Sequence, residues 1–127
     1  MSDLLGPVAA SVERAMQFRV ARQAVLASNL ANADTPGYRR ADVHFDSALD
    51  SAAVRLASRH PSHRSSSSPH GFRVVTERAS DGPDRNGVDP DRESIEVSRN
   101  AGDFNRQAEV YARLLMLTRT AIDGGSR

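Results

Sequence analysis

The stretch Asp89 to Ile122, DPDRESIEVSRNAGDFNRQAEVYARLLMLTRTAI, decides the fold. Asp89 has the short carboxylate that accepts hydrogen bonds from the free N–H groups of a helix start, and Pro90 suits the first helical position. Asp91 and Glu93 set negative charge against the positive end of the helix dipole. From there Val97, Ala101, Phe104, Ala108, Tyr111, Leu115, Thr118 and Ile122 follow at alternating steps of four and three. A helix that keeps this spacing presents those side chains as one seam toward a partner helix. Gly124 and Gly125 stop it, because glycine adopts the left-handed conformation that closes a helix. Gly102 inside the helix costs roughly 1 kcal/mol relative to Ala, a loss that packing against a second helix offsets.

The helix to receive that seam lies at the other end of the chain. From Leu5 onward Val8, Val12, Ala15, Met16, Leu26 and Leu30 fall on one stripe, which predicts a helix over residues 5–33. Arg19, Arg22 and Gln23 interrupt the stripe where a self-contained core carries Leu. Two readings stay open for them: long stems lying along apolar surface with their heads in water, or contacts to a neighbouring subunit.

In Asp34-Thr35-Pro36-Gly37-Tyr38 the order Pro then Gly suits the two central positions of a type II turn. Past the turn, Val43, Phe45 and Leu49 alternate with polar residues, and Asp46 caps a short helix over Ser47 to Leu56. Turn motif and short helix together occupy residues 34–57. Residues 58–88 shift to Ser, Pro, His, Arg, Gly and Asp, with Ser65 to Ser68 at the centre, which reads as a flexible middle with at most minor β structure. Phe72 to Thr76 is its β-prone island, a short strand in want of a partner strand. Asn86-Gly87 suits a tight turn. The expected fold is therefore mainly α, one domain over residues 1–127 whose terminal helices, 5–33 and 89–123, form a coiled-coil pair.

Composition sets the limits of function. With 39% hydrophobic residues, 5% aromatics and no Trp, the chain has few large side chains for a thick core. A net charge of +1 lacks the electrostatic footprint of a nucleic-acid binder. All 17 cationic residues are Arg, whose planar guanidinium suits bidentate pairing. Zero cysteines exclude disulfides, thiol catalysis and Cys-ligated zinc. Residues 1–16 carry Asp3 and Glu13 and lack a basic segment followed by an unbroken apolar run, so no cleaved secretory signal is expected. No apolar run is long enough to insert in a membrane. His44, His60, His63 and His70 lack the rigid scaffold and supporting partners that a metal site needs. Asp81, Asp84, Asp89, Asp91 and Glu93 have Gly87 at the wrong offset for a calcium loop. With no nucleophile elbow, phosphate-cradling loop or paired carboxylates on a rigid element, neither an enzyme nor a cofactor is expected.

The stretch Leu26 to Tyr38, LASNLANADTPGY, resembles the N-terminal signature of the flagellar rod and hook proteins. Within that family, Val88 to Ile122 is similar to the short proximal rod members at Val88-Asp89, Asp91-Arg92-Glu93, Arg99-Asn100 and Arg119-Thr120-Ala121-Ile122. The resemblance covers residues 5–56 and 88–122. It departs at Gly102, at Phe104 where the family carries a hydroxylated aromatic, and throughout the middle. It implies a coiled coil of terminal helices stacked with other subunits into a hollow tube, with Asn29, Asn32, Thr35, Pro36, Gly37 and Tyr38 forming the assembly turn. Implied partners are copies of the chain, other rod proteins, the adaptor joining rod to membrane ring, and the export gate at the rod base. Implied, too, is a place in the periplasmic rod of the basal body, reached through the flagellar type III apparatus. The alternative for two amphipathic helices is a soluble adaptor or export chaperone holding one partner transiently. An ordinary helix end and turn, however, account only for Pro36 and Gly37.

Overall fold

A computed structural model of the chain describes residues 2–45 and 71–124. Helix α1 (Ser2–Ala31) is followed by strand β1 (Ala41–Phe45), strand β2 (Phe72–Thr76) and helix α2 (Pro90–Gly124). The two helices run antiparallel side by side: Asn29 at the end of α1 meets Glu93 at the start of α2, and Arg19 meets Asp103 further along. Helix α1 begins three residues before Leu5 and ends two before the expected boundary. The start of α2 follows from Asp89, whose Oδ1 accepts from the Asp91 and Arg92 N–H groups at 3.0 and 3.3 Å.

The seam between the helices is more polar than hydrophobic periodicity suggests. On α2 the covered residues Glu93, Val97, Asn100, Phe104, Gln107, Tyr111, Leu114 and Thr118 alternate at steps of four and three. Val97, Phe104, Tyr111 and Thr118 belong also to the apolar series. The other line, however, runs one residue before Ala101, Ala108, Leu115 and Ile122, of which only Ala108 is partly covered. On α1 the matching residues are Val12, Ala15, Arg19, Arg22, Leu26 and Asn29, with Met16 beside them, while Val8 and Leu30 are exposed. The cations that interrupt the α1 stripe therefore turn inward. Arg19 pairs with Asp103 at 3.0 Å and Arg22 with Glu96 at 3.0 Å, while Asn100 Nδ2 donates to Gln23 Oε1 at 2.8 Å. Arg19, Arg22 and Gln23, for which sequence left water-facing heads and subunit contacts open, thus find partners inside the chain. A buried Asn at a seam position penalises slipped registers, because it finds its partners in only one.

The middle of the chain corrects the expectation most. Residues 41–45, read as the approach to a short helix, form β1; they pair antiparallel with β2 from Ala41 opposite Thr76 to Phe45 opposite Phe72. The partner strand that Phe72 to Thr76 lacked is supplied from upstream, the central pair Val43 and Val74 lying 31 residues apart (74 minus 43). Phe18 of α1 anchors the pair, stacking on Phe45 at 4.2 Å between ring centroids and meeting Phe72 edge-on at 6.0 Å. Residues 77–89 hold no helix or strand, and their sharp turn is Gly82 to Arg85, closed by an Arg85 N–H to Gly82 carbonyl bond of 3.0 Å, not Asn86-Gly87. The short helix over Ser47 to Leu56, the Ser65 to Ser68 run and His60, His63 and His70 lie outside the described residues. Among the described residues the buried apolar side chains are Phe18, Leu26, Val43 and Val88, a small set consistent with the scarcity of large side chains.

Candidate functional site

The turn after α1 takes the predicted form. Tyr38 N–H donates to the Thr35 carbonyl at 3.2 Å across Pro36 and Gly37, and Gly37 has φ of +73°. These are the features of a type II turn, whose third residue needs a left-handed backbone. Asn32 braces the turn from the helix side: its Nδ2 donates to the Ser28 carbonyl, and its Oδ1 accepts from the Thr35 hydroxyl at 3.3 Å.

The far side of the turn is held by the returning loop. Asn86 Nδ2 lies 2.6 to 3.1 Å from the carbonyls of Asn32, Ala33 and Thr35, adding a side-chain donor to the backbone bonds that close the helix end and the turn. Gly37 N–H donates to the Asp84 carbonyl at 2.8 Å, and Gly87 N–H to the Tyr38 carbonyl at 3.0 Å. Thus Asn86, read from sequence as half of a tight turn, acts as a clamp across more than fifty residues of chain.

Beneath the turn is a junction of buried polar side chains. Asn29 is fully buried, and its side-chain amide pairs with the backbone of Ala41 as one peptide pairs with another: Nδ2 donates to the Ala41 carbonyl at 2.7 Å and Oδ1 accepts from its N–H at 3.1 Å. The second Nδ2 hydrogen goes to Glu93 Oε1 at 2.7 Å. Glu93, also fully buried, accepts from Arg40 Nε through its other oxygen at 2.9 Å. Arg40 reaches on to Glu77 at 2.7 Å and to Asp42 at 3.3 Å. Asp42 in turn receives a bidentate pair from Arg22 at 2.8 and 2.9 Å, and Arg22 also reaches Glu96. Helix, strand and helix are joined by one chain of charge-assisted bonds, which are stronger and more directional than neutral ones.

Electrostatics follow this geometry. Burial pushes the Asp42 carboxyl up, but hydrogen bonds from Arg22 and the Val43 N–H, with the Arg22 and Arg40 charges, outweigh it and hold the group at about 2. Bonding to Asp42 and Glu96 overcomes burial to keep Arg22 above its ordinary value; the carboxylates of Glu93 and Glu77 do so for the more strongly desolvated Arg40. These side chains are bonded chiefly to one another, an arrangement that fixes geometry.

Of the turn residues named from sequence, Asn29 is buried, Asn32 and Tyr38 are half-buried, and Thr35, Pro36 and Gly37 are exposed. Sequence reading gave Glu93 a dipole role, placed Asn86 in a tight turn, and passed over Arg40 and Asp42. The apolar series of steps gave no signal for Glu93, since its alternation extends back from Val97 to Ser94.

The chain matches the family model "Flagella basal body rod protein" over residues 11–39, which spans most of α1 and the whole turn. It is 44% identical to flagellar basal body rod protein FlgB of Salmonella typhimurium over 55 residues, 43% of this chain and 40% of that protein. The FlgB of Escherichia coli shows the same identity and coverage, and that of Aeromonas hydrophila is 50% identical over 38 residues, 30% and 29% of the two chains. The chain thus spans about two-fifths of the length of the first relatives it matches. Within those bounds the chain is similar to FlgB, and the resemblance read from Leu26 to Tyr38 agrees with the matched family.

Proposed function

We propose that this chain is a structural subunit of the bacterial flagellar basal-body rod, placed toward the proximal end, with no catalytic chemistry of its own. Its partners on this reading are other rod proteins, copies of itself, the adaptor between rod and membrane ring, and the export gate at the rod base. It reaches the periplasmic rod through the flagellar type III apparatus.

One observation carries the reading: the segment similar to rod proteins, residues 11–39, contains Asn29, through which β1 and Glu93 of α2 are tied to α1, with Arg40 of the adjoining segment bonded to the same Glu93. A subunit of a rotating shaft must keep the angle between its helices under load. Directional ion-pair bonds resist such shear better than apolar contacts, which slide without losing a partner. A transient adaptor has no comparable need for a rigid junction.

Deleting the gene is expected to abolish flagella and swimming while leaving growth intact. Electron microscopy of the deletion strain checks this, and normal filaments there would refute the proposal.

A further inference from the structure

Of the five asparagines in the chain, only Asn86 is followed by glycine. That order has a chemical consequence. The backbone nitrogen of the following residue can attack the asparagine side-chain carbon Cγ and close a cyclic imide. A side chain on the following residue crowds that approach, and glycine has none.

In the folded chain both reacting groups are occupied. Gly87 N–H donates to the Tyr38 carbonyl at 3.0 Å, so the nitrogen must leave that bond before it can lose its proton. The carboxamide is fixed at both ends: Oδ1 accepts from the Val88 N–H at 2.8 Å, and Nδ2 faces the carbonyls of Asn32, Ala33 and Thr35. The Asn86 N–H is itself tied to Asp84 Oδ1 at 3.2 Å. The clamp on the turn thus withholds its own side chain from reaction. Both groups belong to a loop outside any helix or strand, so local detachment of that loop frees them together.

We propose that Asn86 is a conformation-gated deamidation site, closed while its loop holds the turn after α1 and reactive whenever the loop detaches. Gly87 N then gives its proton to solvent base and bonds to Asn86 Cγ; the Cγ–Nδ2 bond breaks, and the nitrogen takes up a proton and leaves as ammonia. Water next adds to one of the two imide carbonyls and breaks its bond to nitrogen, releasing a carboxylate and a proton. Cleavage at Cγ leaves aspartate. Cleavage at the main-chain carbonyl leaves isoaspartate, whose backbone runs through Cβ and Cγ. Neither product rebuilds the clamp, because a carboxylate only accepts hydrogen bonds and here would face three carbonyl oxygens. Isoaspartate also lengthens the backbone ahead of Gly87 and moves its N–H off the Tyr38 carbonyl. The step is one-way: a chain held open ages at Asn86, and an aged chain closes less well than a fresh one. This gating depends on the fold alone and holds whether or not the chain joins a rod.

The purified full chain is incubated at neutral pH, folded and in urea, then digested with trypsin, which isolates Asn86 to Arg92 by cutting after Arg85 and Arg92. The mass that this peptide gains on exchange of –NH2 for –OH reports Asn86, the only asparagine in it. Conversion is expected to be at least several-fold faster in urea. Gly87→Ala should slow conversion in urea several-fold yet keep the melting temperature of the fold, because a Cβ at Gly87 meets nothing nearer than Arg40 N at 3.5 Å, an ordinary contact. Equal rates folded and in urea overturn the gating, and unslowed conversion in Gly87→Ala overturns the attack by the Gly87 nitrogen; the urea comparison stands even if that variant folds poorly. Wild-type chains aged in urea and refolded by dilution are expected to melt below fresh ones, with equally aged Gly87→Ala as the control for other damage. An aged, converted chain that regains the fresh melting temperature refutes the one-way step.

Discussion

Asn29 and Glu93 stand 64 residues apart in sequence, yet share a 2.7 Å hydrogen bond with neither side chain reaching solvent. The amide is irreplaceable by a carboxylate, because Asn29 donates through Nδ2 to both Glu93 and the Ala41 carbonyl. Asn29→Asp removes both donors and sets two carboxylates face to face in a buried site. A loss of about 3–5 kcal/mol is expected, as for a buried ion pair deprived of one partner. Urea denaturation of the purified chain measures it; a midpoint equal to wild type would show that the junction is not formed.

Acid should loosen the same junction through Asp42. Its folded pKa, about 2, lies below its ordinary value of 3.8. A depressed acid contributes stability that is fully present above the unfolded pKa and lost as pH falls toward the folded one. Wild-type stability is therefore expected to decline between pH 4 and 2. Asp42→Asn cannot lose that contribution, so the gap between the two proteins should shrink across the window. Parallel stability profiles from pH 5 to 2 would contradict the assignment.

The turn offers a test that separates backbone strain from crowding. A Cβ added at Gly37 meets nothing within 4 Å, yet φ there is +73°. Gly37→Val is thus opposed by conformation alone, at a cost of about 1–3 kcal/mol, whereas Asn tolerates the left-handed region. Swimming should be lost in Gly37→Val and largely kept in Gly37→Asn. Wild-type motility in the Val variant would refute the turn's importance.

These sites differ in how far sequence revealed them. The turn and the start of α2 were legible because Pro36-Gly37 and Asp89-Pro90 act within four residues of chain. Strand β1 was not, since a five-residue strand gains its identity from β2 across an intervening segment. The seam was half legible. Hydrophobic periodicity follows Ala101, Ala108, Leu115 and Ile122 because they are apolar, while the helices in the single chain meet along Glu93, Asn100, Gln107 and Leu114, three of them polar. Polar seam residues are invisible to a hydrophobic pattern, and Arg40 with Glu93, 53 residues apart, leaves no local trace. Arg19 and Arg22 were noticed as interruptions, but their partners Asp103, Asp42 and Glu96 lie on other elements.

On the proposed rod reading the apolar line that periodicity follows faces other subunits, and Leu115 is its sharpest probe. Half of its surface is open in the single chain, so Leu115→Asp should change isolated stability by no more than about 0.5 kcal/mol, as surface substitutions do. In an assembly the same carboxylate is buried without a partner, at a cost of several kcal/mol, roughly 2 or more, which is enough to exclude the subunit. Arg113→Asp, also an exposed position on α2, changes charge by more yet lies off that line and should be much milder. Both variants are made in cells and scored by fractionating basal bodies, with export measured separately so that failed secretion is not mistaken for failed docking. Reduced incorporation of Leu115→Asp beside normal export is the expected result. If the two variants incorporate equally, Leu115 faces solvent in the rod and the line joins nothing.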